Sequence, residues 1–374
     1  MTSYDIAIIG GGIAGASLAC FLAPQRSVLL IERETAPGYH STGRSAAEFT
    51  LRDNAPAVNA LARASHGFMM TPPDGFAESP LLARRGAVLV GTAGQEAKVE
   101  AAYRRADAAG AAVLRLTTEQ ALARVPFLDP DYLAAACFDP DYWDIDVDQL
   151  LQGYLRGARR HGATVTSGAE LCGARHDGRR WTLETTAGAF AAATMVNAAG
   201  AWADAVAAAA GVQPLGIVPH RRTAITVDLP NGTDAAALPE VSDIADRFYF
   251  KPDAGRLLVS PADETPCEAG DAQPEELDVA YAAHYLEEAT TLEVRRIASS
   301  WAGLRSFAPD RLPVVGPARD HPAFFWLAGQ GGSGILTSPA LGQLAAALLA
   351  GGPLPAALLR EGVEPGAFSP ARLI

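Results

Sequence analysis

Near the amino terminus, Gly10-Gly-Gly12-Ile-Ala-Gly15 fits the pattern GxGxxG, and an acid, Glu32, stands 22 residues beyond Gly10. These residue types at this spacing suit a dinucleotide. Glycines let the main chain approach a pyrophosphate, whose charge then meets free N–H groups and the positive end of a following helix. The acid reaches the hydroxyls of the adenosine ribose. Glycine and acid do not by themselves distinguish NAD from FAD, and the glycines alone would also serve an ordinary tight strand-to-helix turn.

Two later stretches lean to flavin. The polar loop Gly38-Tyr-His-Ser-Thr-Gly-Arg-Ser-Ala-Ala47 could wrap a bound cofactor, and Gly329-Gln-Gly-Gly-Ser-Gly334 could open a second N–H-rich helix terminus. Such a terminus stabilises the negative charge of a reduced flavin. Each is also compatible with an ordinary loop. Metal chemistry has no comparable signal: Cys20, Cys137, Cys172 and Cys267 form no CxxC pair and no histidines are spaced as in HExxH. Neither a metal site nor a disulfide framework is expected, and a reducing cytoplasm is the expected setting.

Elements must position these groups. Asp5 to Ile9 reads as a buried strand, Ile13 to Leu22 as a helix and Ser27 to Glu32 as a second strand, so the fingerprint lies in a βαβ unit with parallel strands. The span Ile6 to Ala23 is apolar, but its glycines mark a turn and the only early charge is Asp5, so neither an integral membrane segment nor a secretory signal is expected. A helical stretch is expected from near Ser45, a strand at Ala87 to Val90 and a helix at Glu96 to Ala109. Asp146 should cap a helix that stops at Gly162. Strands at Thr164, Trp181 to Thr185 and Thr194 to Val196 lead to Asn197-Ala-Ala-Gly200 and another helix. A strand-rich stretch runs from Arg222 to Val259. The chain closes with a strand (Phe324 to Ala328), the glycine loop and a helix (Ile335 to Leu349).

At 374 residues and 49% hydrophobic, the chain can bury more than one core. Both its ends supply parts of one nucleotide site, which implies interleaved domains. Residues 1–50, 142–215 and 306–374 are assigned to a Rossmann-like cofactor domain, and residues 51–141 and 216–305 to a substrate domain on a mainly antiparallel sheet. The fold class is α/β. A net charge of −12 without a Lys/Arg stripe argues against nucleic acid as a partner.

The glycine fingerprint, the Gly38 to Ala47 segment, Val196-Asn-Ala-Ala-Gly-Ala-Trp202, Trp301-Ala-Gly-Leu-Arg305, Pro313-Val-Val-Gly316 and the terminal glycine loop together resemble the D-amino acid oxidase / glycine oxidase group of flavoproteins. Within that group the chain is most similar to bacterial D-arginine and related D-amino acid dehydrogenases. The resemblance implies FAD along Gly10, Gly12, Ala14, Gly15, Glu32, Arg33, Ser41, Thr42, Arg44, Ser45 and Ala46. Gly200, Trp202, Gly303 and the loop Gly331, Gly332, Ser333, Gly334, Ile335 and Leu336 would complete that site. It implies that Arg222 and Arg305 hold a substrate carboxylate, with Tyr249 hydrogen-bonding beside it and Gly332 lining the pocket. Two guanidiniums on one carboxylate would fix the Cα–H bond toward the flavin. Arg221 beside Arg222 leaves the strand register open by one residue, and only one of the two can enter the site.

The chain departs from D-arginine-preferring relatives at Ala87, where they carry a carboxylate. Glu48 and Asp53 stand where those relatives line the pocket with other groups, and are read either as a relocated cation-binding pair or as solvated acids. The expected activity is oxidative deamination of a D-amino acid by hydride transfer from Cα to flavin N5. Alternatives are oxidation of an N-substituted glycine or a 2-hydroxy acid on the same scaffold, or a non-catalytic flavin-binding subunit. The expected partners are a small-molecule substrate and an electron acceptor of unspecified kind. Dehydrogenase activity is expected over oxidase activity, because oxidase relatives place a lysine beside the flavin. The candidate here, Lys251, precedes Pro252 and Asp253 and is expected at a strand end with its ammonium in solvent.

Overall fold

The computed structural model describes residues 2–52, 54–230 and 232–373, so Asp53 lies outside the described residues. Strands Ser3–Ile9 and Val28–Ile31 pair in parallel across the helix Ile13–Leu22. Val28–Ile31 is buried throughout, as a parallel strand covered on both faces must be. The sheet extends from Ser3–Ile9 to Gly188–Asn197 and Phe324–Ala328, and from Val28–Ile31 to Thr164–Thr166, all in parallel. Antiparallel strands Leu171–His176, Trp181–Thr185 and Val314–Pro317 complete eight. Helices Val147–Arg160 and Gly334–Ala350 pack on Ile13–Leu22. The Asp146 carboxylate caps the first of these by accepting the Gln149 N–H at 2.9 Å.

A nine-stranded sheet forms the other layer, in the order Thr265–Pro266, Val218–Asp228, Arg256–Ser260, Tyr249–Asp253, Glu240–Asp243, Ala87–Gly91, Ala135–Asp139 and Leu114–Leu116. The long strand Ile297–Phe307 also pairs with Val218–Asp228. Among the described residues of this sheet, only Glu240–Asp243 with Ala87–Gly91 is parallel. Strand alternation separates the two faces. Val88, Val90, Ile225, Val227, Phe250 and Val259 pack with Ala282, Leu286 and Ala289 of the helix Glu276–Ala289 in one core cluster. Arg222, Ala224 and Tyr249 point the other way, toward the loops at the ends of the parallel strands.

One local expectation fails. The stretch after Ser45 is not helical: Glu48–Thr50 is a strand paired with Tyr142–Ile145, which also pairs with Leu82–Arg84. Phe49 is fully buried there against Trp143 and His66, and burial of an aromatic in a sheet outweighs weak helical propensity. The helix begins instead at Pro56, whose fixed φ suits a first helical position. Among the described residues, no helix is long and apolar enough to cross a membrane.

Candidate active site

A cavity of about 300 Å³ runs between the two sheets. At one end it is lined by the fingerprint. Gly10 has φ +108°, and a Cβ there would lie 2.4 Å from the Ala198 carbonyl oxygen; one at Gly15 would lie 2.0 Å from the Gly10 oxygen. Only glycine lets the first turn fold this tightly against the Ala198–Gly200 segment. The helix Ile13–Leu22 has no side-chain cap and no acid in its first turn, which leaves its positive end open to an anion. Glu32 is buried and fastens the turn: its Oε2 accepts the Gly11 N–H and its Oε1 the Glu34 N–H, each at 2.8 Å. Each oxygen keeps a further lone pair for a ribose hydroxyl.

Beyond Glu32 the cavity is lined by Ala169–Leu171 and Trp202, with Ala205, Val206 and Ala209 beside them. Arg33 lies 4.7 Å from the Trp202 ring centre, and the His40 ring stands 4.6 Å from it. The loop after the second strand folds back over the turn, where Thr42 Oγ1 accepts the Ile13 N–H at 3.0 Å and Ser41 Oγ donates to the Leu304 carbonyl at 2.7 Å. Arg44 donates to the Ala272 carbonyl at 2.8 Å and pairs with Asp271.

The other end is built from the antiparallel sheet. Opposite pairing of Arg222 with Gly303 and of His220 with Arg305 puts both guanidiniums on one face of adjacent strands, diagonally related. Both line the cavity together with Tyr249. Among the described residues, neither Arg222 nor Arg305 forms an ion pair. Burial, followed by the neighbouring Arg305 charge, holds the Arg222 guanidinium below the ordinary arginine range. The Asp263 and Glu264 charges act on Arg222 only from beyond ion-pair contact, so two like charges side by side in the cavity form a site for an anion. Arg221 points to the opposite face and pairs there with Glu275 and Asp278. Gly332 closes this end, and any Cβ on it would stand 3.2 Å from Arg305 Nη1.

The family model for FAD-dependent oxidoreductases of the DAO type matches residues 5–348. The chain belongs to the DAO family. A glycine oxidase from Geobacillus kaustophilus is 29% identical over 364 residues, covering 92% of this chain and 93% of its own. A hydrogen cyanide synthase subunit from Pseudomonas aeruginosa is 28% identical over 52% of this chain and 46% of its own. The crystal structure of the G. kaustophilus glycine oxidase superposes with a TM-score of 0.82 at 26% identity, covering 94% of this chain and 96% of its own. That of an L-proline dehydrogenase from P. horikoshii gives 0.83 at 22% identity over 99% and 98%, a likeness of fold.

FAD is the cofactor of this DAO enzyme, and the residues present fit it: an uncapped helix terminus, a buried acid lining the cavity beside it, and a cradle that added Cβ atoms would fill. Of the residues assigned to FAD from the sequence, Gly10, Gly12, Ala14, Glu32, Arg33, Ser41, Thr42, Arg44, Ser45, Ala46, Gly200, Trp202, Gly303, Gly331, Gly332, Gly334 and Ile335 line the cavity. Gly15, Ser333 and Leu336 stand behind it. Gly15 packs on Gly10, Ser333 Oγ donates to the Gln330 carbonyl at 2.9 Å, and Leu336 lies in the helical core.

Glu48 and Ala87 do not line the cavity. Glu48 turns to Glu240, and Ala87 is buried beside Glu240 on the neighbouring strand. Lys251 departs furthest from expectation. Its strand continues through Pro252 and Asp253, which pair with Leu257 and Arg256, and its ammonium is buried rather than solvated. Nζ donates to the Ala47 carbonyl at 3.1 Å and to Asp144 Oδ1 at 3.0 Å. Burial opposes the Lys251 charge, but Glu240, Asp144 and Glu48 outweigh it and raise its pKa. Glu240 is pushed well above the ordinary carboxyl range, first by burial and then by the Glu48 charge. Glu48 Oε2 is buried with no hydrogen-bond donor among the described residues, and a proton held on Glu240 would supply one. Sequence reasoning also missed Gln330, which lines the cavity with a buried Nε2 that has no acceptor among the described residues. Its place inside the glycine loop is the one signal that could have marked it.

Proposed function

We propose that this DAO-family enzyme oxidatively deaminates a D-amino acid to the 2-imino acid, which hydrolyses to the 2-oxo acid in water. FAD, when bound, supplies the acceptor for the two electrons and the hydrogen leaving Cα. Arg222 and Arg305 bind the substrate carboxylate by charge-assisted hydrogen bonds, and Tyr249 adds a hydroxyl beside it. The observation that supports this reading is the pair of guanidiniums lining one end of the cavity with no carboxylate in ion-pair contact among the described residues. Around those arginines the lining is Ala224, Tyr249, Gly303 to Ser306 and Gln330 to Gly332, with no acid or histidine among the described residues. No side chain there takes a proton from the substrate, so the substrate amine enters neutral, and holding Cα in line is the task left to the protein. Ala87 offers no carboxylate to a cationic side chain and Glu48 is committed to Glu240, which argues against a preference for D-arginine.

A second reading, oxidation of glycine or an N-substituted glycine, is favoured by the likeness to glycine oxidase along nearly the whole chain. Both readings use the same arginines. An anaerobic screen of D- and L-amino acids, glycine, N-methyl amino acids and 2-hydroxy acids for loss of flavin absorbance separates them. Bleaching by a D-amino acid in preference to glycines supports the first reading, bleaching by glycines the second, and bleaching by hydroxy acids alone contradicts both. We also infer dehydrogenase activity: the Lys251 ammonium is tied to Asp144 and the Ala47 carbonyl behind the cavity wall and does not line the cavity.

A further inference from the structure

Arg222 is held in an unusual way for a buried guanidinium. Its hydrogen bond runs from Nε to a main-chain carbonyl, that of Asp263, at 2.7 Å. A carbonyl fixes the side chain without neutralising it, whereas a carboxylate partner would compete with an anionic ligand. Holding the group by Nε also leaves its two Nη groups as the fork that matches a carboxylate.

That carbonyl is itself anchored. The Asp263 side chain is 7% exposed. Its Oδ1 accepts the Thr223 N–H at 2.6 Å and its Oδ2 accepts from Thr223 Oγ1 at 3.1 Å. Ser260 Oγ donates to the Thr223 carbonyl at 2.7 Å and accepts the Ala262 N–H at 3.2 Å. Between these anchors Ala262 adopts φ 51°, a left-handed conformation that residues with a Cβ avoid. The turn is therefore held against its own preference, and the bonds that hold it converge on the residue next to Arg222. Water does not replace them, because the carboxylate is buried.

We propose that Asp263 is a positioning residue for the substrate carboxylate: its side chain bolts the turn to Thr223 so that its own carbonyl aims Arg222 into the cavity. This rests on the reading that Arg222 binds that carboxylate. The test is titration of the oxidised holoenzyme with pyruvate, a small 2-oxo acid, followed by the change in flavin absorbance. Asp263→Ala should weaken pyruvate roughly tenfold, the scale of a lost hydrogen bond to a charged group. Asp263→Asn, which can still accept from Thr223 N–H and donate to Thr223 Oγ1, should stay within about threefold of wild type, as neutral hydrogen bonds of this kind allow. In an Arg222→Ala background, Asp263→Ala should cost nothing further, because the two residues act as one unit.

Wild-type affinity in Asp263→Ala, or losses that add in the double variant, would overturn the proposal. Unchanged affinity in Arg222→Ala would instead defeat the carboxylate reading beneath it. Should Asp263→Ala not fold, Thr223→Val removes only the hydroxyl bond; a smaller loss of pyruvate affinity, absent when Arg222 is alanine, supports the tether, and no loss overturns it.

Discussion

The two ends of the cavity are built on opposite plans. At the cofactor end the main chain makes most of the site: its glycine turn, bare helix terminus and one acid lie within the first 32 residues, with later loops closing around them. At the substrate end, side chains from strands far apart in sequence meet only because sheet register brings them together. A backbone site is intolerant of added atoms. A side-chain site tolerates truncation structurally and loses its ligand. The two ends should therefore fail differently under mutation.

The largest effect is expected at Gly10. Gly10→Ala puts a methyl 2.4 Å from the Ala198 oxygen and forces an L residue to φ +108°. The variant should purify colourless, with flavin content measured after denaturation near zero, while a yellow, FAD-replete variant would show that the turn yields. Next comes Arg305→Ala, which should keep its FAD and lose about 2–5 kcal/mol of substrate binding, the usual scale for a desolvated charge contact. Arg222→Ala should behave likewise. Arg221→Ala, whose short contacts are to Glu275 and Asp278 on the opposite face and which meets Asp263 only at 3.9 Å, should cost far less substrate binding than either. Anaerobic reduction titrations of the three variants measure these differences.

A smaller effect belongs to Glu240. Its folded pKa is raised, so the folded state keeps a proton that the unfolded chain releases above the ordinary carboxyl value of about 4.3. The stability from this group is complete below that value and falls as pH rises toward the folded pKa, by up to about 1.4 kcal/mol per pH unit. Glu240→Gln stays neutral and can donate to Glu48, so denaturant unfolding of its FAD-saturated form should show a flatter pH profile from about pH 5 upward. Identical profiles for the two proteins would mean that no proton is shared. The smallest expected effect is that of air: enzyme reduced by its substrate and mixed with aerated buffer in a stopped-flow instrument should reoxidise much more slowly than it was reduced. Reoxidation at the rate of turnover, with stoichiometric peroxide, would make it an oxidase.

This contrast also explains what could be read from the residues alone. The Gly10 turn, the Asp146 cap and the first βαβ unit depend on neighbours in the chain, and local chemistry reveals them. The choice between Arg221 and Arg222 depends on strand phase, which needs the pairing with Ile297–Phe307, a strand recognised only through its Trp301 to Arg305 motif and not as a pairing partner. Glu48 was misplaced because Phe49 draws its segment into a sheet with Trp143, almost a hundred residues later in the chain. Pro252 looked like a terminator, yet the hairpin turns only at Ala254 and Gly255, and Lys251 finds its counter-charge on Asp144 from another strand. Buried charge is legible only when its partners are, and these partners are remote.

The central claim is that the unpaired arginines select an anionic carboxylate beside the carbon to be oxidised. It is tested most directly by mixing the oxidised enzyme anaerobically with its best amino acid substrate and, separately, with the carboxamide of that amino acid. The two share the amine and the Cα–H bond and differ in the negative charge. Rapid bleaching of the flavin by the acid and little or none by the amide at equal concentration is the predicted result. Equal rates of bleaching would contradict the account.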